Sequence, residues 1–113
     1  MISIIIPAYN AEKTIRKTVE SLKKQNYSGR YEIIVVDDGS TDSTRDIVSK
    51  IIGAKLFSQK NAVPAKARNR GAKIAKGDIL LFTDSDCELD KSWLKEMVRP
   101  LKDKKISGVQ GAY

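Results

Sequence analysis

The chain has 113 residues, 41% hydrophobic and 31% charged, with 21 Lys and Arg against 14 Asp and Glu for a formal net charge of +7. That size fits one domain around a single core and is small for a complete enzyme. The opening apolar run Ile4–Ile6 stops at Pro7 and no other run approaches the roughly 20 residues that cross a bilayer, while one cysteine, Cys87, excludes an internal disulfide or a multi-thiol metal cluster.

Short β-rich apolar runs alternate with amphipathic stretches, the pattern of βαβ units. Ile2–Ile6 is predicted as a first strand. Ile15, Val19 and Leu22 predict a helix over 11–25, with Lys23 and Lys24 favourably placed at the negative end of its dipole. YEIIVVD, Tyr31 to Asp37, is a second strand whose near-continuous apolar run implies burial on both faces. A helix over 43–52 would bring Ile47, Val48, Ile51 and Ile52 to one side. AKLFSQ is a shorter third strand, and Pro64 suits the first turn of the next helix. That helix sets Ala67, Gly71 and Ala75 four apart, a small-residue stripe for close approach to a sheet, with Gly77 as its stop. DILLFTD is a fourth strand. Leu94, Met97, Val98 and Leu101 predict a helix over 91–102 that Pro100 should kink or shorten, and ISGVQGAY is a fifth strand.

No repeat or low-complexity linker interrupts this alternation. The class is therefore α/β, with a mainly parallel, doubly wound sheet in one domain over 1–113. PAYN, DDGSTD, SQKN and TDSD follow strands one to four, so the polar clusters gather at the end where open α/β sheets bind their ligands.

Within DDGSTDST, Gly39 permits a turn, and Ser40 or Asp42 can accept from the following helix's first amides. Asp37 and Asp38 close an apolar strand with side chains on opposite faces. One of them should meet a hydrogen-bond donor, and a ligand base N–H is a candidate. The acids Asp84, Asp86, Glu88 and Asp90 then crowd together in a basic chain. A calcium loop counted from Asp84 fails, because Leu89 stands where glycine is needed and Lys95 where a bidentate glutamate belongs. Asp90 is explained as the N-cap of the next helix and Glu88 as a solvated acid. Asp84 and Asp86, two apart at a strand end, can converge on one hard cation, Mg2+ or Mn2+, whose shell substrate phosphates and water would complete.

The pI near 9.6 suits an anionic partner: nucleic acid, a phospholipid surface or a phosphorylated small molecule. Lys13, Lys17, Lys23, Lys24, Lys73 and Lys76 are scattered along predicted helices without interleaved aromatics, so they mark solvated faces rather than a nucleic-acid groove.

ISIIIPAYN, EIIVVDDGSTDST, NAVPAKARNRGAKIAKGD and LLFTDSD, in this order at four successive strand ends, resemble the N-terminal nucleotide-sugar-binding half of a family 2 glycosyltransferase with the GT-A fold. The resemblance covers nearly the whole chain and departs from the family's habit at Val63, where glycine is common. It implies that Pro7, Ala8 and Tyr9 line a nucleoside pocket, with Tyr9 against the base; ordinary core packing is the other reading of Tyr9. It implies that Asp38 accepts from a uracil imide N–H, that Asp37 supports the loop or the ribose, and that Arg68 lies near base or diphosphate. Asp84, beside Ser85, would hold the ribose or a metal-bound water, and Asp86 would ligate Mn2+ or Mg2+ directly. The implied donor is a UDP-sugar first, with a GDP- or dTDP-sugar as alternatives. Displacement by an acceptor hydroxyl also needs a carboxylate base. The resemblance places that base beyond Tyr113, so the chain alone is expected to bind donor without transferring sugar. The lack of a signal-peptide or spanning run and the single cysteine point to an intracellular, cytoplasmic chain, with peripheral association of the full-length enzyme at the membrane's cytoplasmic face, and the final strand offers an edge for self-association. Two alternatives stay open: a non-enzymatic nucleotide-binding module, and a receiver-like domain with Asp84 as phosphoacceptor.

Overall fold

The isoleucine run at the start of the chain forms the centre of the molecule. In the computed structural model, which describes residues 1–60, 64–101 and 108–110, the elements are β1 (Ile2–Ala8), α1 (Ile15–Lys23), β2 (Tyr31–Asp37), α2 (Thr44–Ser49), β3 (Ala54–Ser58), α3 (Pro64–Ile74), β4 (Ile79–Phe82), α4 (Trp93–Val98), a 3-10 turn (Arg99–Leu101) and β5 (Gly108–Gln110). All strand pairings are parallel, in the order β3-β2-β1-β4-β5. The chain steps outward from β1 to β3, then returns through α3 to lay β4 on the other side of β1. That reversal makes the space beyond the carboxyl ends of β1 and β4 the natural crevice of the sheet.

Ile4, Ile5 and Ile6 are fully buried because helices cover both faces. On one face Ile2, Ile4, Ile6, Ile33, Val35 and Leu81 pack with Ile15, Val19 and Leu22 of α1, Val48 of α2 and Trp93, Leu94 and Val98 of α4. On the other, Ile34 and Val36 pack with Ala67 of α3. At Gly71 α3 lies close against the sheet, since a Cβ there would collide with Cγ2 of Ile5. The small-residue stripe read from the sequence thus does what its spacing suggested. Among the described residues no helix is long and apolar enough to cross a membrane.

Helix ends differ from expectation for local reasons. Residues 11–14 form a turn in which Thr14 and Ile15 amides donate to the Ala11 carbonyl, so α1 starts at Ile15. α2 stops at Ser49, and Ile52, expected on its buried side, is 87% exposed. Asp90 accepts from the Ser92 amide at 3.0 Å and caps a turn just before α4, which then begins at Trp93. Pro100 does shorten that helix, which ends at Val98. Val63 and Tyr113 lie outside the described residues.

The end of the sheet opposite the crevice is tied by a buried acid that the sequence pattern did not single out. Glu32 of β2 accepts from Ser3 Oγ of β1 at 2.5 Å, Lys55 Nζ of β3 at 2.6 Å and the Lys76 amide beyond α3 at 2.8 Å. Burial opposes its ionisation, but the Lys55 ammonium, the Ser3 hydroxyl and the Lys76 amide outweigh burial and lower its pKa from 4.5 to about 2. A carboxyl depressed in the folded state stabilises fully above its unfolded pKa, and the contribution is lost as pH falls from about 4.5 towards 2. Glu32→Gln is therefore expected to cost about 2 kcal/mol at neutral pH, a figure lowered for the half-exposed Lys55. Urea titrations at neutral and acid pH check this: the gap between wild type and variant should close in acid. A gap of constant size would show that the charge of Glu32 is not what stabilises.

Candidate functional site

Two loops at the carboxyl ends of β1 and β2 are stitched together by short polar side chains. The Asp38 amide donates to the Ala8 carbonyl at 2.8 Å, extending the β1–β2 ladder by one rung. Asn10 adopts a left-handed backbone, φ 48°, a conformation that asparagine tolerates better than most residues. Its amide donates to Ser40 Oγ at 2.9 Å and its Oδ1 accepts from the Thr41 amide at 2.8 Å. Gly39 turns the chain with φ +80°, as DDGS required.

Asp37 is consumed by this turn. Fully buried, it accepts from the Ser40 amide at 3.0 Å and hydroxyl at 2.5 Å, with Arg45 Nε 3.7 Å away. It supports the loop from behind, one of the two roles read for it, and does not line the cleft. Asp38 turns the other way, into the cleft, and accepts from Gln59 Nε2 at 3.0 Å. Asp42 accepts from the first amide of α2, Thr44 N, at 2.9 Å, whereas Ser40 serves Asp37 and Asn10 instead of the helix.

β4 delivers the acids. The Thr83 amide donates to the Ile5 carbonyl at 3.2 Å, after which the chain leaves the sheet at Asp84. Donor atoms of Asp84, Asp86 and Cys87 lie within 4.8 Å of one another. Carboxylates that close repel one another, an effect that a bound cation would relieve. Burial, and then the charges of Asp86 and Asp84, push the Cys87 thiol up from its ordinary value. Asp84 and Asp86 offer carboxylate oxygens, the donors that suit a hard divalent cation.

These loops enclose a cavity of about 430 Å³ lined by Pro7, Ala8, Tyr9, Asn10, Ala11, Thr14, Asp38, Ala67, Arg68, Asp84, Ser85 and Asp86. Of the residues that the resemblance assigned to nucleotide or cation, only Asp37 is missing from its wall. Tyr9 is 47% exposed, which removes the core-packing reading. Arg68 is half-buried on α3 and faces the cleft rather than solvent alone. Three carboxylates meet one guanidinium on this wall, a local negative balance within a basic chain. Asn10 and Thr14 were not anticipated; Asn10 sits in the flagged PAYN, but Thr14 carried no signal of its own.

Residues 3–113 match the family described as glycosyl transferase family 2. The chain is 48% identical over 89 residues to the UDP-Glc:alpha-D-GlcNAc-diphosphoundecaprenol beta-1,3-glucosyltransferase WfaP of Escherichia coli, covering 76% of this chain and 35% of that protein. It is 39% identical over 100 residues to the poly(ribitol-phosphate) beta-N-acetylglucosaminyltransferase TarS of Staphylococcus aureus, covering 83% of this chain and 18% of that one. The crystal structure of TarS 1-349 in complex with UDP-GlcNAc matches with a TM-score of 0.82 at 38% identity, over 90% of this chain and 31% of that chain. The mannosyltransferase PcManGT from Pyrobaculum calidifontis, in complex with GDP-Man and Mn2+, matches with a TM-score of 0.83 at 28% identity, over 90% and 32%. The chain spans well under half the length of each of these proteins. Sheet order, the acid-lined cleft and these matches agree: the chain belongs to glycosyltransferase family 2 and has the GT-A fold.

Proposed function

We propose that residues 1–113 form the donor-binding domain of a glycosyltransferase that takes a UDP-sugar and passes the sugar to an acceptor hydroxyl. The observation that carries this is one cleft in which Tyr9, Asp38, Arg68, Asp84 and Asp86 converge. The exposed ring of Tyr9 offers a face for a base, and Asp38 offers a carboxylate to an imide N–H. Arg68 brings positive charge to the diphosphate, and Asp84 and Ser85, on the same wall, would hold the ribose hydroxyls. Asp86, with Asp84, would hold Mn2+ or Mg2+ against the diphosphate. When bound, that cation supplies charge neutralisation for the departing nucleoside diphosphate. The relatives with bound UDP-GlcNAc, and with GDP-Man and Mn2+, support the reading, and the second keeps a GDP-sugar as an alternative donor. Among the described residues the cleft's carboxylates are Asp38, Asp84 and Asp86, each already given to nucleotide or cation, and none is assigned as the acceptor base.

A cytoplasmic site at the membrane face belongs to the same proposal, supported by the lipid-linked acceptor named for one relative and by the +7 net charge. Self-association through β5 is supported by its place at the edge of the sheet.

Amide NMR of the labelled chain, titrated with UDP and Mg2+, tests the location. Shifts are expected at Tyr9, Asn10, Asp38, Arg68 and Ser85, with the Ser3–Glu32 end unmoved. Shifts confined to the Glu32 end, or none at saturating UDP, would overturn the proposal.

A further inference from the structure

Asp86 is exposed, and its side chain meets only Cys87 Sγ, at 3.8 Å, in the hydrogen bonds of the described residues. Its direction is therefore set by backbone, and that backbone is held from α1. The Ser85 carbonyl, in the peptide leading into Asp86, accepts from Thr14 Oγ1 at 3.0 Å and from Thr18 Oγ1 at 2.9 Å. A carbonyl oxygen has two lone pairs and each hydroxyl one proton, so the two threonines saturate it. Each hydroxyl also lies near a carbonyl of its own chain segment, Ala11 O at 3.4 Å and Thr14 O at 3.2 Å, but Ser85 is the shorter partner in both cases.

The same stripe continues along α1 and just past its end. Ser21 Oγ accepts from the Leu89 amide at 3.0 Å, Gln25 Nε2 donates to the Asp90 carbonyl at 2.6 Å, and Gln25 Oε1 accepts from the Leu94 amide at 2.7 Å. Steps of four, three and four residues put Thr14, Thr18, Ser21 and Gln25 on one side of a helical path, beside the apolar face that serves the core. Thr18 is only 1% exposed, so its hydroxyl is buried for a partner rather than left to solvent.

We infer that Thr14 and Thr18 are positioning residues for the cation site: they clamp the Ser85–Asp86 peptide so that both carboxylates stay aimed at one ion. Ser21 and Gln25 secure the rest of the loop up to α4. The inference rests on the metal reading of the cleft.

Thr18→Val keeps the branched shape and removes the hydroxyl, and Thr18→Ser returns it; Thr18 is not part of the cleft wall. UDP affinity with and without Mn2+ is measured beside NMR order parameters at Ser85 and Asp86. Thr18→Val is expected to bind UDP without cation as wild type does and to lose about tenfold of the manganese-dependent gain, the lower end of what groups that orient metal ligands are worth. Order at Ser85 and Asp86 should fall, and Thr18→Ser should restore both readouts. A folded Thr18→Val with the full manganese gain and unchanged order overturns the inference. If Thr18→Val does not fold, Thr18→Ala takes its place, removing the same hydroxyl outside the cleft wall: loss of gain and order sustains the inference, and an unchanged gain with unchanged order overturns it. A wild-type chain without any manganese gain overturns the metal reading instead. The order measurement then judges the clamp alone: loss of order sustains it and unchanged order overturns it.

Discussion

Asp38→Ala is expected to weaken UDP binding by about 10- to 100-fold while the chain stays folded. The figure follows from losing one charge-assisted hydrogen bond to the base, worth on the order of 1.5–3 kcal/mol. Asp38 lies on the cleft wall at the end of β2, held by its amide to Ala8 and by Gln59 to its carboxylate, so it is presented in a fixed direction. A uracil ring donates from its imide nitrogen, whereas the matching nitrogen of cytosine is an acceptor. Wild type should therefore prefer UDP to CDP, and Asp38→Ala should flatten that preference. If the variant instead unfolds and its folded fraction keeps full affinity and selectivity, Asp38 is a structural acid like its neighbour Asp37.

Asp86→Ala is expected to abolish the manganese dependence of UDP binding and to leave cation-free binding equal or slightly tighter. Removing Asp86 relieves its repulsion with Asp84 and with the incoming diphosphate, so affinity without cation should not suffer. With cation the outcome reverses. A directly bound carboxylate contributes at least the roughly 10- to 100-fold that groups merely orienting metal ligands contribute, and Asp84 alone cannot replace it. Thermal stability should hold, because Asp86 is exposed and no core contact depends on it. A variant that keeps the manganese gain would move the cation elsewhere in the cleft.

The alternation of strands and helices, and the end of the sheet where the polar clusters gather, were legible because hydrophobic period and polar punctuation are local properties. The run Ile33–Val36 announced a strand buried on two faces, and the spacing of Ala67, Gly71 and Ala75 announced close packing of α3, which Gly71 on Ile5 bears out. The division of labour between Asp37 and Asp38 was only half legible. Alternation said that they face opposite ways, but not that Ser40 would occupy both oxygens of Asp37. Helix ends were missed where side chains compete with the backbone, as Asp90 does for the Ser92 amide. Long-range polar pairings left no local trace at all. Ser3–Glu32–Lys55 joins three strands, and Thr14 and Thr18 reach Ser85 across about 70 positions of sequence, a separation over which no periodicity carries information.

Calorimetric titration of the wild-type chain with UDP, in the presence and absence of Mn2+, is the most direct measure of whether the carboxyl end of this sheet is a cation-assisted nucleotide site. Asp84 and Asp86 lie within 4.8 Å of each other on the wall of the cleft that also presents Asp38 and Arg68. Their mutual repulsion, and their repulsion of a diphosphate, make weak binding the expected result without cation. Mn2+ should tighten it by at least tenfold, on the scale of about 1.4 kcal/mol per decade. Equal affinity in the two titrations, or no binding in either, would contradict the account.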